Sequence, residues 1–320
     1  MTTLLNLDEK LQNRHFILVG GSGFIGRNLT QFLLTRGADV AWIERESGLQ
    51  EISGRTISIF APHEVPQSLR QQIQKIDVVF LSHAGARGGM PARRDDLLED
   101  NWAWLQKVRK DVLSVPAQTF FFFSSGGSVY GNCERDIPLS EDFPLHAVSP
   151  YGWVKAALEK KILDERDLWS PRVFIGRPAN AYGAGQIPFS GQGLLPTLAA
   201  SIILDRNLDI FGIEAIRDYV HVGALSESVI RLIATDIDGG IFNIGTGKGL
   251  STQTVIQLFE DFMKKKVKMT VQERRETDVL YNTLDTTKLQ RATQWSPVLE
   301  LRERIGEIVD FVTKHLQGPR

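Results

Sequence analysis

Apolar residues in the first half of the chain fall into two alternating patterns. Short unbroken runs stand at HFILVG (15–20), DVAWIE (39–44), IDVVFLS (76–82), TFFFFSS (119–125) and RVFIGRP (172–178). Each has the length of a strand buried on both faces. Between several of them the spacing widens to a helical stripe. In FIGRNLTQFLLTRG (24–37), Phe24, Ile25, Leu29, Phe32 and Leu33 share one face and Gly37 is the stop. YGWVKAALEKKILDERD (151–167) predicts a further helix behind Pro150. Strands separated by helices predict an α/β fold with a doubly wound parallel sheet.

After residue 178 the pattern changes. NAYGAGQIPFSGQGLLP, rich in glycine, predicts a long loop into a second unit. Beyond it, helical stretches (STQTVIQLFEDFMKK, LELRERIGEIVDFVTKH) mix with short strands (LDIFG, RDYVHV, IFNIG, VKMTVQE), which predicts a smaller C-terminal α/β lobe. The expected division is 1–178 and 179–320, with some later segments returning to the first unit.

Composition narrows the partners. The chain has 320 residues, is 42% hydrophobic and carries a formal net charge of −1, so no global field draws it to nucleic acid or an anionic membrane. The basic run KKKVK (264–268) is expected to be a solvated helix end running into a strand. Cys133 is the one cysteine, which forbids an internal disulfide and suits a reducing, cytoplasmic setting. The six histidines show no ligand spacing, so no metal is expected. No apolar run reaches membrane-spanning length, and the first fifteen residues lack the basic-then-apolar order of a secretion signal.

Three stretches carry candidate chemistry. ILVGGSGFIG sets Gly20, Gly23 and Gly26 at G-x-x-G-x-x-G spacing, between a strand and a helix. Glycines let a diphosphate approach the backbone, and the helix N-terminus offers N–H groups to it, which predicts a Rossmann-type dinucleotide site. Glu44 ends the next strand, where a carboxylate accepts from ribose hydroxyls and repels a 2′-phosphate; this favours NAD over NADP, although Arg45 stands beside it. FFFFSSGGSVYG (120–131) runs a core strand into small hydroxyls. SPYGWVK places Tyr151 and Lys155 at i and i+4, on one helix face. A lysine cation there is expected to lower the phenol pKa, and an oxidised nicotinamide to lower it further, making a general base for a sugar hydroxyl.

Together these motifs resemble the extended short-chain dehydrogenase/reductase family, in its NAD-dependent nucleotide-sugar epimerase/dehydratase branch. RPANAYG (177–183), RDYVHV (217–222), FNIGTG (242–247) and QWSPVLEL (294–301) extend the resemblance over nearly the whole chain. The pattern is most similar to that of the UDP-glucose/UDP-N-acetylglucosamine 4-epimerases. The resemblance implies Tyr151 and Lys155 as catalytic residues with a helper hydroxyl. It implies cofactor contacts from the glycine loop, Phe24, Ile25, Glu44, Arg45, Arg87 and Asn101, besides the catalytic pair. It implies substrate contacts from Asn180, Leu194, Phe211, Arg217, Arg275 and Asp278, with the arginines on the diphosphate, Phe211 on the base and Asp278 on the ribose. A homodimer is also implied.

The chain departs from the family at the helper hydroxyl. Four residues before the tyrosine of VYG stands Gly126, so Ser125, with Ser128 assisting, is expected to act. Gly127 and Ser128 replace the acidic pair of the dehydratases, which argues against water elimination. The expected reaction is 4-epimerisation through a transient 4-keto sugar. A one-way 4-reductase and an inactive NAD-binding regulator are the alternatives. The regulator is motivated by Gly126 and by two missing aspartates, one after ISIFAP and one at Gly223. Asn282, four residues after Asp278, is expected to guard the C2 substituent and admit an N-acetyl group; Tyr281 in its place would exclude one.

Overall fold

The computed structural model describes residues 6–81, 93–133, 137–191, 193–273, 278–298 and 300–318. In the first part of the chain, β1 (His15–Val19), β2 (Asp39–Ile43), β3 (Gly48–Ile52), β4 (Arg55–Phe60), β5 (Ile76–Phe80), β6 (Thr119–Phe123) and β7 (Val173–Pro178) succeed one another. They are followed by β8 (Asn180–Tyr182), β9 (Leu208–Phe211), β10 (Ile216–His221), β11 (Gly239–Ile244), β12 (Gly249–Ser251), β13 (Met269–Gln272) and β14 (Tyr281–Asn282). An eight-stranded sheet runs in the order β11-β7-β6-β5-β1-β2-β4-β3. Its pairings are parallel except that of β3 with β4. The order reverses between β1 and β5, and in such sheets a ligand crevice opens outside the strand carboxyl ends at that point.

The four consecutive phenylalanines of β6 serve both faces of this sheet. Successive strand side chains point to opposite sides. Phe120 and Phe122 therefore join the core with Val154, Leu158 and Ile162 of the helix Pro150–Asp164. Phe121 and Phe123 join the opposite core with Leu29 and Leu33 of the helix Phe24–Leu34. All four rings are 3% exposed or less, which holds β6, and hence its polar end, rigidly.

The chain after residue 178 feeds both parts of the molecule. Leu195, Leu198, Val255, Phe259, Ile305 and Val312 form a separate core from three later helices. The helix Val222–Ala234 instead adds Val229, Ile230 and Leu232 to the core of the main sheet, whose edge β11 closes against β7.

Two differences from the sequence expectations stand out. The β3–β4 hairpin was not expected; its strands are half exposed and polar, and it turns at Ser53 and Gly54, both at positive φ. The stretch expected as a loop through LLP already contains β8, and it enters a helix at Leu194. Pro196 is tolerated there because N–H groups of a first helical turn have no partner within the helix. Among the described residues, no helix is long and apolar enough to cross a membrane.

Candidate active site

The helix that carries Tyr151 and Lys155 starts at a built cap. Ser149 Oγ accepts from Gly152 N at 3.1 Å, and Pro150 occupies the first turn. Tyr151 and Lys155 thereby face the carboxyl end of β6 one turn apart. Lys155, 2% exposed, donates from Nζ to Phe123 O at 2.8 Å. Tyr151 shares a side-chain hydrogen bond with Ser125.

The electrostatics correct the expectation that Lys155 lowers the phenol. Burial pushes Tyr151 up to about 12, opposed by the Ser125 hydrogen bond. Burial also pulls Lys155 down to about 7, opposed by the charge of Glu159. Desolvation is the largest cause of both shifts, and the ammonium donates to the Phe123 carbonyl while standing 5.9 Å from the centre of the Tyr151 ring.

A pH dependence of stability follows. A lysine lowered in the folded state penalises folding fully below its folded pKa, and the penalty fades as pH rises toward its unfolded value. The Lys155→Met variant should therefore gain on the wild type at pH 6. That gain should shrink by about 2 kcal/mol by pH 9, as measured by urea unfolding at both values. A pH-independent difference would show that Lys155 is not titrating in this window.

The serine question has a geometric answer. Ser125 stands in extended conformation at the N-cap of a short helix, Gly126–Val129. A Cβ on Gly126 would lie 2.6 Å from Arg177 O, 2.7 Å from Leu284 Cδ1 and 3.0 Å from Pro178 O. The family's helper position thus has no room for a side chain here, and the hydroxyl on Tyr151 comes from one residue earlier. Ser125→Ala should lower kcat by about 10- to 100-fold, the lower end of what a positioned proton-transfer partner contributes. An unchanged kcat in a steady-state assay would remove Ser125 from the chemistry.

Tyr151, Lys155, Ser125 and Ser128 line one end of a cavity of about 580 Å³. Phe24, Ile25, Asn180 and Leu194 border it as well, and Phe211, Arg217 and Asp278 lie at the side formed by the later segments. Arg217 donates to Ile216 O at 2.9 Å and to the carbonyls of Val279 and Leu280. Burial lowers its pKa, opposed by Tyr219 and Asp278. Sequence reasoning missed Gln186, Asp209, Tyr219 and Thr252, which also line the cavity. Tyr219 belongs to RDYVHV, but the resemblance carries a site role there only to Arg217.

Other expected residues fall elsewhere. Asn282 is fully buried and donates to Gly126 O at 2.9 Å. Neither it nor Tyr281 is part of the cavity wall, so the expected C2 gate is corrected: β14 turns Asn282 beneath the Gly126 turn. Asn101 donates to Leu97 O at 2.7 Å within its own helix and is likewise not part of that wall. Arg87 and Arg275 lie outside the described residues.

The glycine loop fits a dinucleotide. Gly20 has φ +86°, a conformation that favours glycine. A Cβ on Gly26 would meet the Gly21 backbone at 2.5 Å, so Gly26 lets helix and loop close together. At Gly23 the nearest atom to such a Cβ is Gly20 O at 3.7 Å, leaving an open face. The helix Phe24–Leu34 has no side-chain cap, so its N-terminal N–H groups remain available to a diphosphate. Glu44 reaches the same loop and accepts from Ser22 N at 2.8 Å; Arg45 is exposed.

Behind Tyr151 and Lys155 lies a buried network outside the expected site residues. Arg177 donates to both carboxylate oxygens of Glu159, at 2.6 Å from Nη2 to Oε2 and 3.1 Å from Nε to Oε1, and to Tyr130 Oη at 3.0 Å. Ser124 donates to Glu159 Oε1. The available signal was Glu159 four residues after Lys155, together with the arginine that opens RPANAYG.

The family model described as NAD dependent epimerase/dehydratase matches residues 16–245. A UDP-glucose 4-epimerase of Mycolicibacterium smegmatis is 27% identical over 314 residues, covering 92% of this chain and 97% of that protein. A dTDP-4-dehydro-6-deoxyglucose reductase of Escherichia coli is 28% identical over 308 residues, covering 92% and 96%. Among solved structures, a UDP-glucose 4-epimerase of Thermotoga maritima with UDP-glucose superposes with a TM-score of 0.81 at 22% identity, over 94% of this chain and 99% of that one. That likeness establishes the same fold.

Proposed function

Since this chain belongs to the NAD-dependent epimerase/dehydratase family, we propose that it is a nucleotide-sugar 4-epimerase acting on a UDP-linked hexose or N-acetylhexosamine. The observation that carries the reading is one continuous cavity. It joins the Ser125–Tyr151–Lys155 cluster to Arg217, Phe211 and Asp278, with Gly127 and Ser128 in place of a dehydratase's acids. The curated relative named UDP-glucose 4-epimerase supports the same reaction.

NAD, when bound, accepts a hydride from the sugar and returns it, and its oxidised ring adds positive charge near the phenol. Gly20, Gly23, Gly26 and the uncapped helix N-terminus would hold its diphosphate, and Glu44 its adenosine ribose. Tyr151 Oη takes the proton of the sugar O4 and later gives it back. Ser125 Oγ holds that oxygen in place, with Ser128 beside it. Lys155 supplies a cation behind the phenol when protonated. Arg217 and Phe211 fix the nucleotide, so that the 4-keto sugar can turn over without leaving. Residues 179–320 supply most of this nucleotide grip. A cytoplasmic homodimer belongs to the same reading, supported by the single cysteine and the family pattern.

The test is proton NMR of UDP-glucose and of UDP-N-acetylglucosamine, each incubated with purified protein and no added cofactor. Growth of the anomeric signal of the galacto epimer is the expected result, and comparing the two sugars assigns the C2 preference. A 4-reductase is the second reading, favoured by the Escherichia coli reductase relative. It would give no epimer and would instead consume added NADH stoichiometrically with a 4-keto sugar.

A further inference from the structure

Lys155 stands at the front of a line of buried charged groups that no step above uses. Glu159 lies one turn after it on the same helix, and the two are each 2% exposed. A buried carboxylate must be paired, and this one is held on both oxygens. Arg177 of β7, 3% exposed, grips it bidentately, and Ser124, 4% exposed, donates to Oε1. Ser124 is also the residue between Phe123, whose carbonyl accepts from Lys155, and Ser125, which shares a hydrogen bond with Tyr151. Its own N–H is tied to Gly176 O at 2.8 Å.

We propose that Glu159 is a positioning residue for the reaction: anchored by Arg177, it keeps Lys155 charged and fixes the Ser124–Ser125 turn against the catalytic helix. The inference rests on the reading that Tyr151 and Lys155 work on the sugar. Replacing a buried ion pair by apolar residues is often neutral or favourable for stability. Stability alone therefore gives little reason to bury a glutamate and an arginine behind a buried lysine. A carboxylate one turn from that lysine does give one, since it offsets the loss of hydration that disfavours the charged Nζ.

The titratable groups facing Glu159 are Lys155 from its own helix and Arg177 from β7. Beyond Arg177 stand Tyr130, which donates to Asn243 Oδ1 at 2.6 Å, and Glu141, whose carboxylate accepts from Asn243 N at 2.8 Å. Burial raises both of these, Tyr130 to about 12. Of these groups, Glu159 is the one whose charge acts on Lys155 to favour its protonated form.

The experiment compares wild type with E159Q and E159D across the pH profile of kcat and KM. Phenolate formation is followed separately, by difference ultraviolet absorbance against Tyr151→Phe. E159Q should lower kcat by about tenfold or more with KM little changed. It should move the alkaline limb of kcat, where Lys155 loses its proton, about one pH unit toward acid. Its phenolate should form at higher pH. E159D keeps the charge and should restore the limb while leaving kcat reduced through its shorter reach. In E159Q, where the charge is gone, a loss of kcat with an unmoved limb would mean a structural role only and would overturn the proposal, as would wild-type behaviour. Should E159Q not fold, a wild-type kcat in E159D overturns the proposal and a lowered kcat with an unshifted limb supports it. If Tyr151→Phe keeps full activity, the underlying reading fails rather than this inference.

Discussion

Replacing Tyr151 by Phe should lower kcat by about 10³-fold, within the range of general acid–base catalysis, while leaving the fold and bound NAD in place. The change removes one oxygen from a half-buried ring on a capped helix, so the packing around Val154 and Leu158 is untouched. The lost hydrogen bond is the one shared with Ser125. Burial holds the phenol up to about 12, so in the proposed mechanism an oxidised nicotinamide and a protonated Lys155 would supply the positive charge that favours the phenolate. Epimer formation followed by NMR measures the loss, and release of NAD on denaturation checks occupancy. Retained activity would sink the epimerase mechanism and favour a binding or regulatory role. A loss of NAD together with activity would make the phenol a cofactor contact instead.

Much of this architecture was legible because periodicity and burial coincide. The five apolar runs became parallel strands of the main sheet, four of them almost wholly buried and β2 buried at its carboxyl end, and such strands need no polar alternation. The β3–β4 hairpin escaped for the opposite reason. Its residues are half exposed, and only the Ser53–Gly54 turn marks it. The glycine loop and the Tyr151–Lys155 spacing were readable because both are local. What was not readable is non-local. Asn282 sits in a two-residue strand whose orientation is set by pairing with β10, and counting from Asp278 could not reveal that its amide turns toward Gly126. The Glu159–Arg177 pair joins residues eighteen apart in sequence on a helix and a strand, and only the stacking of that helix on the sheet brings them together. The pKa correction has the same origin. Spacing puts Lys155 near Tyr151, but the depth of burial, which spacing does not report, decides which way each group moves.

Gly126→Ser, which would place a hydroxyl where the family pattern has one, should destabilise the protein by about 3 kcal/mol, the upper range for overpacking, and should not raise kcat. The expected Cβ meets two carbonyl oxygens of the β7 segment, Arg177 O at 2.6 Å and Pro178 O at 3.0 Å. The third contact, Leu284 Cδ1 at 2.7 Å, is a side-chain tip that can rotate away. The carbonyls cannot. The Arg177 backbone is held by the pairing of β7 with both β6 and β11, and its side chain is locked on Glu159. Relief must come from the Gly126 turn, which would pull Ser125 off Tyr151 and break the Asn282 bond to Gly126 O. Gly127→Ala is the matched control. Its Cβ would find Asn180 Oδ1 at 3.5 Å, ordinary contact, so its stability should change by less than about 1 kcal/mol. Urea unfolding of the two variants measures the contrast. A Gly126→Ser protein as stable as wild type, with activity that survives an added Ser125→Ala, would show that the turn can shift register and that position 126 can carry the helper hydroxyl after all. Loss of stability at 126 but not at 127 would mean that the backbone of β7 has displaced the hydroxyl by one residue, and that the chemistry has followed it to Ser125.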